Sequence, residues 1–353
     1  MECESRRSGL GVFLAVALVS LSARAAGAAT LGMVADNLSD MVTVFNADTD
    51  TILGSVPIPN PENTLGDCAI PVDRRVGYVT NFNFEVFQID LTQSPPVLRS
   101  GVNPIAISNA GEDASLSPRG EYLLVCDGSG NEPVSVVLTQ KRLEIGTFDL
   151  GSDCNSVDVC SNARSTNSSV IVTSSANLNT RRLRLDTSGK LVDTGDVLPG
   201  PEPQNANCAP QGTAGVVLHR DPSFQSFIVQ GLAPVDMRAT TVGRPISGAF
   251  NAAGTVLYVR NGPGDGPNAV DVFTFNPTTG ALGATPSFSI PIAGTGDGNN
   301  TFFGMEQMAL NPAGTKLYVS VPGAVEVYNA TTAAFITSIT DPNIVGPTGV
   351  CIR

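Results

Sequence analysis

The chain has 353 residues, a net charge of −12 and 15% charged residues, with Lys only at 141, 190 and 316. An acidic chain without a basic stripe excludes nucleic acid as an electrostatic partner and disfavours an anionic membrane surface. Its 36 Gly and 25 Pro beside 42% apolar content describe a turn-rich β protein with a large core, neither helical nor disordered.

Arg6-Arg7 precede an apolar run at 10–21, and Ala26-Gly27-Ala28 suits a small-residue cleavage site. Residues 1–28 therefore read as an export signal, too short for a comfortable membrane span. The remainder, 29–353, is expected as a single exported domain: periplasmic, cell-surface or secreted, with no span after cleavage.

From residue 31 onward one strand pattern recurs. It is Leu31-Gly32-Met33-Val34, Gly77-Tyr78-Val79-Thr80, Leu123-Leu124-Val125, Val170-Ile171-Val172-Thr173, Val216-Val217-Leu218, Leu257-Tyr258-Val259 and Leu317-Tyr318-Val319. Its third strong position falls at 34, 79, 125, 172, 218, 259 and 319. A period in the forties is the mark of a β-propeller. The longer last step is filled by Gly/Asn-rich insertions at 261–268 and 293–300. An alternating strand follows each copy, at 41–45, 85–89, 134–138, 182–185, 224–229, 270–275 and 325–328. An outer strand comes next, at 51–56, 97–101, 143–150, 192–198, 237–242, 286–290 and 335–339. A short inner strand with small residues precedes the best copies, at 114–116, 248–250 and 308–310. The first unit lacks that inner strand, whereas the tail carries a spare one at 348–352. If the tail completes the first blade, the ring closes and its strand edges are protected. The expected fold is thus all-β: a seven-bladed propeller of four-stranded antiparallel blades. The alternatives are six blades, if the unit around Val216 is misread, or eight.

Tyr78-Val79-Thr80-Asn81 spells the tetrapeptide that names the YVTN β-propeller repeats. Asn311-Pro312-Ala313-Gly314-Thr315, running into Leu317-Tyr318-Val319, is similar to the consensus around it and is echoed from Asn251 to Val259. The chain resembles that family best in its second, sixth and seventh units; the fourth and fifth depart from it. Such repeats occur in surface-layer and cell-envelope proteins and in lactonase-like propellers. The resemblance implies a fold and an extracytoplasmic setting, not one chemistry.

Six cysteines follow the signal: Cys68, Cys126, Cys154, Cys160, Cys208 and Cys351. An even count in an exported chain suggests disulfides. Cys154–Cys160 is the nearest pair in sequence, and Cys68–Cys351 would staple the ring closure. The loops feeding the inner strands carry oxygen-bearing residues: Asp67, Asp153 and Asn207 each just before a Cys, then Glu112-Asp113, Ser247 and Glu306-Gln307. Ringed around the channel mouth, Asp67, Asp113, Asp153, Asn207 and Glu306 could ligate Ca²⁺ or another divalent cation. Each Asp or Asn equally suits capping its own turn. His219, the one histidine, is expected in a surface loop. The sequence holds no HExxH, GxSxG or phosphate-cradling glycine loop, and no catalytic residue is assigned. Two functions follow. One is a binding or structural module presenting its mouth to a protein, glycan or small molecule. The other is a lactonase-like hydrolase with a mouth-bound cation.

Overall fold

The computed structural model describes residues 29–59, 65–128, 130, 133–160, 167–262, 268–292 and 307–353. Seven sheets of antiparallel strands follow one another along the chain. Their inner strands are Pro347–Ile352, Leu65–Ala69, Asp113–Leu116, Ser156–Cys160, Pro203–Cys208, Arg244–Phe250 and Met308–Leu310, for blades 1 to 7. The second strands, Leu31–Asp36, Val76–Asn81, Tyr122–Cys126, Ser168–Ser174, Ala214–His219, Val256–Gly262 and Lys316–Val321, carry the recurring motif.

Why these residues form blades is plain from their burial. Each blade packs both faces against a neighbour, so its middle strands are apolar on both sides rather than alternating. Met33 and Val44 of blade 1 pack with Val79 and Phe87 of blade 2, while Val34 and Phe45 on the opposite face pack with Tyr318 and Val325 of blade 7. Each such fully buried side chain contributes about 1.5–3 kcal/mol. The turn before the motif strand also has a local cause. The Asn311 carboxamide oxygen accepts the Thr315 and Lys316 N–H groups, and Gly314 takes φ +66°. Asn251 and Gly254 repeat this geometry. The Asn-x-x-Gly-Thr spacing is thus a side-chain-capped turn that needs a left-handed glycine.

The tail closes the ring as the sequence suggests. Val350 pairs with Val34 and Cys351 with Met33, antiparallel, and Asp36 accepts the Val345 and Gly346 N–H groups at 2.6 and 2.9 Å. Blade 7 is fixed to blade 1 by Tyr318, which donates to Asp50 at 2.7 Å, and by the Lys316–Asp50 ion pair at 2.7 Å.

Three disulfides join blades: Cys68–Cys351, Cys126–Cys154 and Cys160–Cys208. Each of the three Asx-Cys dipeptides supplies the cysteine that ties its blade to the preceding one. The expected Cys154–Cys160 pair does not form. Strand Ser156–Cys160 lies between the two, and its extended backbone advances about 3.3 Å per residue, carrying Cys160 out of reach. Three disulfides point to an oxidising, exported setting. Among the described residues no helix is long and apolar enough to cross a membrane. Residues 1–28, where the export signal is expected, lie outside the described ones.

Two outer strands differ from expectation. In blade 2 the strand splits into Val97–Leu98 and Ile105–Ala106, both paired with Glu85–Asp90. In blade 5 a short turn, Gln230–Leu232 with Gly231 at φ +76°, brings the outer strand forward to Ala233–Ala239.

Candidate functional site: the central channel

The strand registers align the seven inner strands as tetrapeptides around the channel. They read Gly349-Val350-Cys351-Ile352, Asp67-Cys68-Ala69-Ile70, Asp113-Ala114-Ser115-Leu116, Ser156-Val157-Asp158-Val159, Asn205-Ala206-Asn207-Cys208, Ser247-Gly248-Ala249-Phe250 and Gln307-Met308-Ala309-Leu310. The first position is polar in six blades, the third is small in five, and the fourth is apolar in all seven. Going down the channel, a polar ring precedes a ring of small residues and then an apolar ring.

The polar ring is buried, and it serves the inner strand edges. Each inner strand lacks a partner on its channel side, so its N–H groups need acceptors from elsewhere. The preceding blade supplies several. Asp113 accepts from Val157 N–H at 2.7 Å, Ser115 from Val159 N–H at 3.2 Å, Ser156 from Ala206 N–H at 3.3 Å and Asp158 from Cys208 N–H at 2.7 Å. On the far side Arg260, fully buried, donates to the Gln307 carboxamide oxygen at 3.0 Å and to Ser320 at 3.1 Å.

The five sequence-predicted ligands take different places. Asp67 and Asp113 stand in the polar ring on adjacent blades and interact electrostatically. Burial, with the nearby Asp158 charge adding to it, pushes the Asp113 carboxyl from 3.8 up to about 7, against the pull of the Val157 N–H and other donors. Asp153 lies in the loop before its strand. It accepts from the Ser174 and Ser175 hydroxyls, both at 2.6 Å, and from Ala176 N–H, so it caps a turn of its own blade. Asn207 lies deeper than expected, in the ring of small residues, and Asn205 holds the polar-ring position of its blade. Glu306 lies outside the described residues. Among the described residues no group of three or more His, Cys, Asp or Glu side chains is placed to share an ion.

Above the polar ring, Glu112 is buried and accepts from Gly128 N–H at 2.8 Å. Its carboxyl is held well above the usual range, first by burial and then by the charges of Asp127, Asp113 and Asp153. His219 is buried on the blade 5 second strand rather than exposed in a loop, and burial lowers its pKa. Its Nδ1 meets Ser223 Oγ at 3.0 Å, and that hydroxyl donates to Asp221 at 2.5 Å. The serine stands between the other two, unlike a nucleophilic triad, in which the histidine occupies the middle.

Below the polar ring lies a cavity of about 630 Å³ walled by all seven inner strands. Its lining begins at Cys68, Ala114, Gly248 and Met308 and runs down to Val72, Pro118, Pro210 and Arg353. Val72, Pro210 and Arg353 at this lower rim are exposed. The two disulfides between inner strands, Cys68–Cys351 and Cys160–Cys208, brace its wall. The mouth had been the expected site, and the cavity was missed. The polar–x–small–apolar tetrapeptide was the available signal.

No protein-family model matches this sequence, and no curated protein does. Solved structures match the fold. A functionally unknown protein from Desulfotomaculum acetoxidans superposes with a TM-score of 0.79 at 22% identity, over 91% of this chain and 98% of that one. A protein from Bacteroides fragilis described as a putative 6-phosphogluconolactonase gives 0.72 at 14% identity, over 93% and 98%. A similarly described protein from Bacteroides uniformis gives 0.72 at 15%, over 92% and 99%. These likenesses show the seven-bladed fold.

Proposed function

We propose that this chain is an exported binding module whose ligand is a small molecule held in the channel cavity. The observation that carries this reading is the cavity itself, closed laterally by seven strands and sized for a metabolite. The carboxylates at the opposite end are committed to backbone N–H groups, to turns or to one another, which leaves the cavity as the better-formed site. The test is a thermal-shift screen of the chain from residue 29 against a panel of small metabolites, run beside Ala249→Leu, which fills the cavity from its wall. At least one compound should shift the parent and leave the variant unmoved. Equal shifts in both would overturn the reading.

A second reading is a lactonase-like hydrolase, favoured by the nearness of Asp67 and Asp113: two adjacent carboxylates offer general acid–base chemistry. The two Bacteroides neighbours suggest 6-phosphogluconolactone as the substrate to try. Against it, the charge set among the inner strands of the cavity wall is the anionic Asp158, and the one described cation lining the cavity, Arg353, stands at the exposed lower rim. A lactone-hydrolysis assay, with and without added Ca²⁺, comparing parent and Asp113→Asn decides. Turnover at the buffer rate in every arm would retire the hydrolase.

A further inference from the structure

The cavity wall is uneven, and its unevenness is chemical. Round the small-residue ring stand Cys351, Ala69, Ser115, Asp158, Asn207, Ala249 and Ala309; Asp158 is its only charge and Asn207 its only amide. Round the ring below stand Ile352, Ile70, Leu116, Val159, Cys208, Phe250 and Leu310, all apolar. The two exceptions sit on adjacent blades, 4 and 5, and both line the cavity. One side of the chamber is therefore an acceptor patch, and the one described cation in the lining, Arg353, lies at the lower rim.

The patch is rigid. Asp158 Oδ1 accepts from the Ser115 hydroxyl at 3.0 Å and from Val159 N–H at 2.7 Å, and Oδ2 accepts from Cys208 N–H at 2.7 Å. The Asp158 side chain keeps some accessible surface, and no described cation pairs with it. Asn207 is 6% exposed, and its Oδ1 has no hydrogen-bond partner among the described residues. It lies against Gly248 of blade 6, where any Cβ would collide with it. A buried amide oxygen without a donor is costly, and a ligand N–H would recover that cost.

We infer that the cavity takes a small amphipathic amine, its apolar body against the ring of Ile70, Leu116, Phe250 and Leu310 and its protonated amino group on Asp158 and Asn207. An ammonium supplies several donors to two adjacent acceptors and brings the missing countercharge. Burial holds the Asp158 carboxyl above its ordinary range, so a bound cation would pull it down again and strengthen the ionised form. A carboxylate ligand of the same shape would meet a like charge. This inference rests on the channel being the ligand site, and the experiment separates the two.

Isothermal calorimetry at neutral pH is run with phenethylamine, phenethyl alcohol and hydrocinnamate, three probes of similar shape. The chain from residue 29 is compared with Asp158→Asn and Ala249→Leu. The amine should bind the parent at least about tenfold more tightly than the alcohol, and the acid should not bind. Asp158→Asn should bring the amine down to the level of the alcohol and leave the alcohol unchanged. Ala249→Leu should abolish both. If amine and alcohol bind alike and Asp158→Asn changes neither, the amine inference is overturned while the channel site stands. If no probe binds the parent, the inference is overturned as well. If Asp158→Asn fails to fold, as judged by circular dichroism, Asn207→Leu takes its place: it should weaken the amine severalfold and spare the alcohol, and an unchanged amine affinity overturns the inference.

Discussion

Asp113 shows how far a single residue was legible. Its place before an inner strand marked it in the sequence, and the structure does set it beside Asp67. The spacing could not show that its acceptor oxygen is taken by Val157 N–H of the next blade. Asp158 and Ser156 were not legible at all, because blade 4 has no Asn-x-x-Gly-Thr turn from which to count the register. The Asp113 carboxyl, raised to about 7 chiefly by burial, makes a pH prediction. Between about pH 4 and pH 7 the folded chain holds a proton that the unfolded chain has released. Stability from this group is therefore complete below pH 4 and is lost as the pH rises toward 7, by on the order of 3 kcal/mol. Asp113→Asn should flatten that decline. Urea melts of parent and variant at several pH values measure it, and parallel pH profiles would refute it.

At the scale of the element, the turn is the most legible feature because one Asn and one Gly determine it. Gly314 and Gly254 have the same backbone but different surroundings. A Cβ at Gly314 meets nothing within 4 Å, so Gly314→Ala should cost only the left-handed strain, about 1 kcal/mol. A Cβ at Gly254 runs into the Gln211 carboxamide, which donates to Ala253 at 2.7 Å. Gly254→Ala should therefore cost about 2 kcal/mol, the strain plus that hydrogen bond. Equal losses of stability in denaturant would show that Gln211 simply swings aside. The outer strands were less legible. They are mostly solvent-facing and bury only an occasional side chain, such as Val56, Ile290 or Ile339, so little in the pattern prevented the blade 2 strand from splitting around residues 99–104.

For the whole molecule, closure was legible because a missing inner strand at one end matched a spare one at the other. The cysteine pairing was only half so: Cys68–Cys351 follows from closure, whereas Cys126–Cys154 and Cys160–Cys208 depend on how neighbouring blades align. The loops they close differ widely, 283 residues against 28 for Cys126–Cys154. On loop entropy alone, Cys351→Ser should destabilise the chain by about 2 kcal/mol more than Cys126→Ser. Denaturant melts of the two variants compare them, and the reverse order would mean the ring holds without its staple. Removing 348–353 should go further, exposing the edge of blade 1 and opening the channel wall; a truncated chain that melts like the parent would contradict the closure. The channel is the centre of the functional proposal, and its alanines report on it directly. Methyl spectra of alanine-labelled protein, recorded with and without phenethylamine, should show shifts at Ala69, Ala114, Ala249 and Ala309 and none at Ala333, far out on blade 7. Shifts confined to residues outside the channel, or no shifts at any alanine, would contradict the channel as the ligand site.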